Sequence, residues 1–481
     1  MNNMRIFFNK IFLDKNTNIF SFEKKLNPVS TFGDFSFEKK LKSLSKIEYF
    51  SYPYEAMVAI KDKKIVDSWK IHPNTFYPQT PLDYEAPINQ YIAEDIAYPI
   101  KFLTNLTDRC DSACTVCSFN TKREKYIPTD IDGKKYCELI GYMKKLNPDF
   151  SQNISGGGEP SIHPDFTTIL NFAGNEGIET FLTTNGRINS RIDKEKLDAI
   201  ASNVSILTFS IMGVSSDIYS QLHQPRDPEI NFDHVLRNIE YIINMRSVFG
   251  REKKMIIGVA TLIHPANTSH YTNFIHQLIS LGVDYVYVNP IQPNLMKFGL
   301  SYTKELAEAT KAELSSLQKK FSSSKTFIRI PEVLYKTTDT VYIDAKKRKN
   351  LGTCLVSILQ PSIIPVPNEN NEMQLVSCRY SKLHFDPQYC FSKNLSRGLF
   401  DKIWNKDNVS RISYSAQNCE DCCCERQLMA LDWMLYCKKT YPGCYFMLQF
   451  DKTISKGGVE KFENTISTSY DRSNIIKGDE C

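Results

Sequence analysis

Cys110, Cys114 and Cys117 lie within eight residues of one another, in the string CDSACTVC. Thiols this close in a loop can wrap one soft metal centre, since thiolate sulfur suits both iron–sulfur clusters and zinc. A structural zinc ion wants four protein ligands, and the next cysteine or histidine along the chain is Cys137. Three thiolates on a cubane of four irons instead leave one iron open to a chelating ligand. On spacing alone, a zinc site and an iron–sulfur site both stand.

Further polar clusters follow at intervals. Gly156, Gly157, Gly158, Glu159 and Pro160 form the first. Glycines let a ligand approach backbone groups closely, and a carboxylate beside them can accept hydrogen bonds from an ammonium group. Thr183, Thr184, Asn185 and Gly186 come next, where Asn-Gly favours a tight turn. Ser210-Ile211-Met212-Gly213 is the third. In HQPRDP, Arg226 has the bidentate geometry for a carboxylate or the freedom of a solvated loop residue, and His223 reads as an ordinary polar loop residue.

The elements that must position these groups alternate. Six β-branched runs, IKFLTNL, FSQNIS, IETFLTT, SILTFSI, MIIGVATLI and DYVYVNP, are separated by amphipathic helical stretches such as FDHVLRNIEYIINM. Six βα units in succession require an α/β fold with a parallel sheet and right-handed crossovers. Six units where a closed barrel has eight give a partial (β/α)6 TIM-like barrel, open on one side. Function in such folds gathers at the carboxyl ends of the strands, where each polar cluster falls.

The C-x3-C-x2-C spacing after the first of six strands, with the glycine segment after the second, resembles the radical S-adenosylmethionine (SAM) superfamily. The resemblance spans about residues 97–325. It implies a 4Fe–4S cluster on Cys110, Cys114 and Cys117, with the SAM amino group held by Gly157, Gly158, Glu159 and Pro160. Thr184 and Asn185 match the family's Thr-Asn-Gly, Ser210 its ribose or carboxylate contact, and Arg226 its carboxylate contact. The chain departs from the pattern at Val116, where an aromatic is usual, so Phe119 is expected to contact the adenine. Met212 stands where many relatives have Asp, and MIIGVATLI lacks the frequent Gly-x-Ile-x-Gly segment.

A second cysteine group comprises Cys354, Cys378, Cys390, Cys419, Cys422, Cys423, Cys424, Cys437 and Cys444. Two separated cysteines followed by Cys419-x2-Cys422 resemble the smaller, twitch-type auxiliary-cluster extension. The Cys-x2-Cys-x5-Cys run of the larger SPASM extension is not met, because Leu428 occupies the third position. One auxiliary 4Fe–4S cluster on Cys354, Cys378, Cys419 and Cys422 is expected, with structural zinc on the same ligands as the alternative. A degenerate SPASM arrangement would add Cys424, Cys437 and Cys444.

Composition sets the remaining bounds. Hydrophobic residues make up 42% and charged residues 23% of 481, the balance of a globular protein. The net charge of +5 includes nine Lys/Arg against five Asp/Glu in residues 1–50. The body is therefore nearly neutral, and a nucleic-acid partner is not indicated. No apolar run approaches the roughly 20 residues of a membrane helix, and no secretory signal opens the chain. A cytoplasmic protein is expected, with fourteen cysteines used as thiols or metal ligands rather than disulfides.

Four zones are expected: an N-terminal extension over 1–95 with a β-hairpin about KDKK, the barrel over 97–325, the auxiliary-cluster domain over 326–450, and a disordered tail over 451–481. Within the first, FSFEKKL occurs at Phe20–Leu26 and again at Phe35–Leu41, too short a duplication for a solenoid. The resemblance implies reductive cleavage of SAM to a 5′-deoxyadenosyl radical that removes hydrogen from an unactivated C–H. It also implies a reductant partner such as flavodoxin or ferredoxin. Three functions follow: modification of a ribosomal peptide held by the N-terminal zone, oxidation or rearrangement of an aminosugar, cyclitol or nucleoside, and a zinc-stabilised binding protein without catalysis.

Overall fold

The computed structural model describes residues 10–14, 19–23, 54–62, 64–70, 84–117, 119, 127–189, 192–252, 254–289, 303–321, 324–330, 354–377, 390–417 and 426–450. They divide into two compact units, one of Met1–Glu94 with Cys424–Cys481, the other of Asp95–Cys423.

In the first unit, β1 (Lys10–Asp14) pairs antiparallel with β2 (Ile19–Glu23), and β3 (Tyr54–Lys61) with β4 (Lys64–Lys70). The second pair is the hairpin expected about KDKK. The first FSFEKKL copy begins in β2, and the second lies outside the described residues. Helix α1 (Glu85–Glu94) follows.

All six expected barrel strands form: β5 (Lys101–Thr104), β6 (Ser151–Ile154), β7 (Glu179–Thr184), β8 (Ile206–Ser210), β9 (Ile256–Leu262) and β10 (Tyr285–Asn289). They run parallel in sequence order, with β11 (Phe327–Arg329) added beyond β10. Each neighbouring register is in step, for example Thr104 with Ile154 and Thr184 with Phe209. All four residues of β5 are buried, which is why these strands read as apolar runs rather than alternating ones. On β9, a side chain at Gly258 would come within 2.3 Å of the Tyr285 ring, so the glycine makes room for that aromatic.

Between the strands lie α2 (Gly133–Leu146), α3 (Phe166–Asn175), α4 (Lys194–Asn203), α5 (Ser216–His223), α6 (Phe232–Val248) and α7 (Tyr271–Leu281), followed by α8 (Lys304–Lys320). Asp132 caps α2 by accepting from the Lys135 amide at 2.9 Å, and Asn231 caps α6 through His234. Phe166, Ile169, Leu170 and Ala173 give α3 its buried stripe at helical spacing. Gly282 ends α7 with a φ of 86°, a left-handed turn that glycine adopts without strain. Helix α5 was not foreseen from the sequence, and it carries His223 in its last turn.

The sheet does not close on itself. After α9 (Val356–Leu359), strand β12 (Ser362–Val366) pairs parallel with β5, then β13 (Glu369–Val376) and β14 (Cys390–Ser392) continue antiparallel. Part of the stretch expected as a separate cysteine-rich domain thus extends the barrel's own sheet. Helices α10 (Arg397–Ile403) and α11 (Lys406–Gln417) complete this unit, with Trp404 Nε1 donating to the Ala97 carbonyl at 3.0 Å.

The chain then returns to the first unit. Helix α12 (Arg426–Thr440) leads to β15 (Tyr445–Phe450), which inserts between β2 and β3. The expected tail over 451–481 lies outside the described residues.

Candidate active site

The cysteine loop follows β5 and is stitched on three sides. On one side, the Gly158 amide donates to the Thr107 carbonyl at 2.7 Å and the Glu159 amide to the Arg109 carbonyl at 2.8 Å. This contact needs glycine, because a Cβ on Gly158 would sit 1.7 Å from the Arg109 oxygen. Gly157 has a φ of 68°, which glycine adopts freely. On a second side, the Ala113 and Thr115 amides donate to Gln224 and Leu222, and the Arg226 amide donates to Asp111. Gln224 takes a left-handed φ of 45° as it turns out of α5 into this ribbon. On the third side, Arg109 makes a bidentate pair with Asp130, at 3.0 and 2.6 Å.

Glu159 is buried and ties the ends of β6 and β7 together. Its Oε1 accepts from the Thr184 hydroxyl at 2.6 Å and the Ser161 amide at 3.0 Å, and its Oε2 from the Asn185 amide at 2.7 Å. Burial, with the nearby Asp111 charge second, raises its pKa to about 7 against the opposing pull of these donors. Glu159 is therefore first a brace. A carboxylate offers about four acceptor positions, so Oε2 retains capacity for one more donor.

Asp111 lies between the first two cysteines. It accepts from Asn185 Nδ2 at 2.7 Å and from Arg187 Nε at 3.1 Å. The Arg187 side chain is fully buried, and it also donates to the Ile230 carbonyl and, at 2.8 Å, to that of Asp227. Neither Asp111 nor Arg187 was singled out from the sequence. The available signals were the position of Asp111 inside the cysteine string and that of Arg187 directly after Asn-Gly.

His223 is a correction to the sequence reading. It is buried, stacks on Tyr219 with ring centroids 4.1 Å apart, and accepts from the Met212 amide through Nε2 at 2.9 Å. Its Nδ1 lies 3.7 Å from Cys114 Sγ. Burial first, then Arg187, lowers its pKa to about 3, so the ring is neutral.

The three thiols are half-buried. Cys114 is driven above the ordinary thiol range by burial, then by the neighbouring Cys117 and Cys110. Among the described residues, no three His, Cys, Asp or Glu side chains are gathered as ligands of a single metal ion.

The family model described as "Radical SAM superfamily" matches residues 104–258, from the end of β5 into β9. Residues 104–258 are a radical SAM domain. The chain is 20% identical over 194 residues to a tungsten-containing aldehyde ferredoxin oxidoreductase cofactor-modifying protein of Pyrococcus furiosus, covering 39% of this chain and 50% of that protein. It is 32% identical over 96 residues to the mycofactocin maturase MftC of Mycobacterium ulcerans, covering 20% and 25%. The chain thus spans half the length of the first relative and a quarter of the second. Among solved structures, Streptococcus suis SuiB bound to S-adenosylmethionine is 14% identical with a TM-score of 0.46, over 70% of this chain and 72% of that one.

The radical SAM family uses a 4Fe–4S cluster and SAM, and the residues present fit both. The Cys114 thiol, held above its ordinary range by burial and by its two neighbours, would be relieved by a cationic iron centre, which takes thiols as thiolates. Gly157 and Gly158 let Thr107, Asn105 and the Arg109 backbone pack close against the glycine segment, and the Asn105 side-chain oxygen is buried there without a hydrogen-bond partner.

The other expected contacts are dispersed about this site. Thr184 and Asn185 are buried at the end of β7, Ser210 is half-buried at the end of β8, and Phe119 is half-buried just past Cys117. Arg226 is exposed and joins the loop through its backbone. Pro160 is buried and opens a single 3-10 turn.

Of the expected auxiliary ligands, Cys354 is buried ahead of α9, while Cys378, Cys419 and Cys422 lie outside the described residues. Cys424 is likewise outside them. In the first unit, Cys437 donates to Asp67 Oδ2 at 3.8 Å, and burial, Asp67 and Cys444 push its thiol well above the ordinary range. Among the described residues, no helix is long and apolar enough to cross a membrane.

Proposed function

We propose that this protein is a radical SAM enzyme that modifies a peptide at an unactivated C–H. The observation carrying the enzymatic reading is the bracing of the cysteine loop by Glu159 and Asp111, which join it to the ends of β6 and β7. Cys110, Cys114 and Cys117 would hold the 4Fe–4S cluster. Gly157, Gly158, Glu159 and Pro160 would receive the SAM amino group, Arg226 its carboxylate, Ser210 its ribose, and Phe119 its adenine. When bound, the cluster and SAM supply an electron and a carbon-centred radical able to remove hydrogen from an unreactive position.

The protein's own part is to hold the loop fixed against the ends of β6 and β7. Thr184 and Asn185 act through Glu159, which they hold in place. One auxiliary cluster on Cys354, Cys378, Cys419 and Cys422 belongs to the same reading, as does a flavodoxin- or ferredoxin-type reductant.

Peptide as the substrate class is supported by the sheet of the first unit. Among the described residues it ends on β1 and β4, and a strand edge is a place where an extended peptide can add main-chain hydrogen bonds. Similarity to a protein named a maturase agrees with this choice.

The test is anaerobic reconstitution, iron and sulfide analysis, and assay of 5′-deoxyadenosine with dithionite, with and without candidate peptides. Replacing Cys110, Cys114 and Cys117 together by Ala should abolish cleavage and leave the circular dichroism of the fold. Cleavage surviving in that variant sinks the enzymatic reading, and zinc without iron in wild-type protein returns the binding-protein reading. Stimulation by an aminosugar, cyclitol or nucleoside, and by no peptide, replaces the substrate class.

A further inference from the structure

The His223 ring has its two nitrogens committed in different directions. Nε2 lies 2.9 Å from the Met212 amide nitrogen, and that N–H can only donate. A ring nitrogen that accepts carries no proton, so in the neutral ring the proton is on Nδ1. Nδ1 in turn lies 3.7 Å from Cys114 Sγ, within hydrogen-bond reach of sulfur. The tautomer is therefore set by a backbone amide, and the remaining N–H faces the middle cysteine of the loop.

The ring is held there from several sides. Tyr219, one turn earlier on α5, stacks against it with planes 20° apart. The Thr115 amide donates to Leu222, the residue before His223, at 2.9 Å, so loop and helix end keep a fixed spacing. His223 is 1% exposed, so bulk solvent does not reach the ring.

We infer that His223 donates an N–H···S hydrogen bond from Nδ1 to the Cys114 thiolate, and so sets the electron affinity of the iron–sulfur centre held by the loop. The inference rests on the cluster assignment made above. Reduction adds negative charge that is shared with the ligand sulfurs, and a donor aimed at one sulfur favours the reduced form. His223 is a positioning and tuning residue here rather than a ligand.

The experiment uses the full-length, anaerobically reconstituted protein. The midpoint potential is followed by electron paramagnetic resonance in the signal that SAM addition perturbs. His223→Phe keeps an aromatic against Tyr219 and removes the donor. It should lower the midpoint by about tenfold in the reduction equilibrium, or about 59 mV for one electron. Because the change also removes the acceptor of the Met212 amide, a second measurement uses wild-type protein labelled with 15N-histidine. Pulsed resonance of its reduced, SAM-perturbed signal should reveal a histidine nitrogen coupling and an exchangeable proton close to the cluster.

Iron bound as in wild-type protein, no histidine coupling and an unchanged midpoint would overturn the inference and leave the cluster assignment standing. Absence of an iron–sulfur signal from wild-type protein would overturn both. A variant that binds no iron is decided by the labelled wild-type protein, where the coupling supports the inference and its absence ends it.

Discussion

Asp111, one residue past the first cysteine, forms an ion pair at 3.1 Å with Arg187, whose side chain is completely buried just beyond β7. The pair links the cysteine loop to a turn 76 residues away in sequence. Arg187 is further fixed by two backbone carbonyls, so the loop rests on a guanidinium whose donors are largely spent inside the protein.

Removing Arg187 leaves the half-buried Asp111 carboxylate without its partner, at a cost below the about 3–5 kcal/mol of a fully buried pair. Arg187→Met should therefore lower thermal stability and reduce iron retained at the loop. Asp111→Asn, which keeps the shape, should weaken iron retention with a smaller loss of stability. Thermal unfolding and iron content, measured side by side, check this. Arg187→Met protein with wild-type melting and full iron loading would remove the pair from any supporting role.

Gly158→Ala tests the contact between the glycine segment and the loop. The added methyl would meet the Arg109 backbone, which cannot give way as a flexible side chain would. Overpacking of this kind costs about 1–3 kcal/mol, and SAM affinity should fall with it. Gly398→Ala, where nothing lies within 4 Å, is the matched control and should leave both unchanged. Equal behaviour of the two variants in calorimetry would refute the contact.

Glu159 makes stability and cofactor binding depend on pH near neutrality. Its folded pKa, about 7, stands above the ordinary 4.5, so between these values the native state holds a proton that the unfolded chain releases. The stability associated with that proton is complete below about pH 4.5 and is lost as pH rises through about 7, on the order of 3 kcal/mol in all. Glu159→Gln should flatten this slope in SAM-free protein. If an ammonium docks on the carboxylate, SAM affinity should run the opposite way. It should tighten by up to about tenfold per pH unit and level off above about 7. Calorimetric titration from pH 6 to 8 checks it, and a flat profile leaves Glu159 as a brace alone.

Changing Cys354, Cys378, Cys419 and Cys422 together to Ala should lower iron from about eight per chain to about four, since each 4Fe–4S cluster needs its own thiolates. Uncoupled SAM cleavage should survive and substrate turnover should fall. Wild-type protein loading only four irons and one zinc would assign these cysteines to zinc. More than eight irons would bring Cys424, Cys437 and Cys444 into a further cluster.

By itself the sequence determined what local pattern can encode. The six strands and their helices were legible because burial on both faces makes apolar runs and burial on one face makes helical stripes. The hairpin at 54–70 was legible because its strands are adjacent in sequence. The cysteine string and the glycine segment could be picked out by residue type and spacing, which left zinc and iron–sulfur both open. Tertiary structure alone decided the partners. Pairing of β12 with β5 and insertion of β15 between β2 and β3 join segments hundreds of residues apart, and no periodicity announces them. His223 sits beside Cys114 only because α5 ends against the loop, and Glu159 braces β7 only because parallel register sets the two strand ends side by side. A buried polar group acquires its role from the groups that desolvate it and bond to it, and those are chosen by the fold.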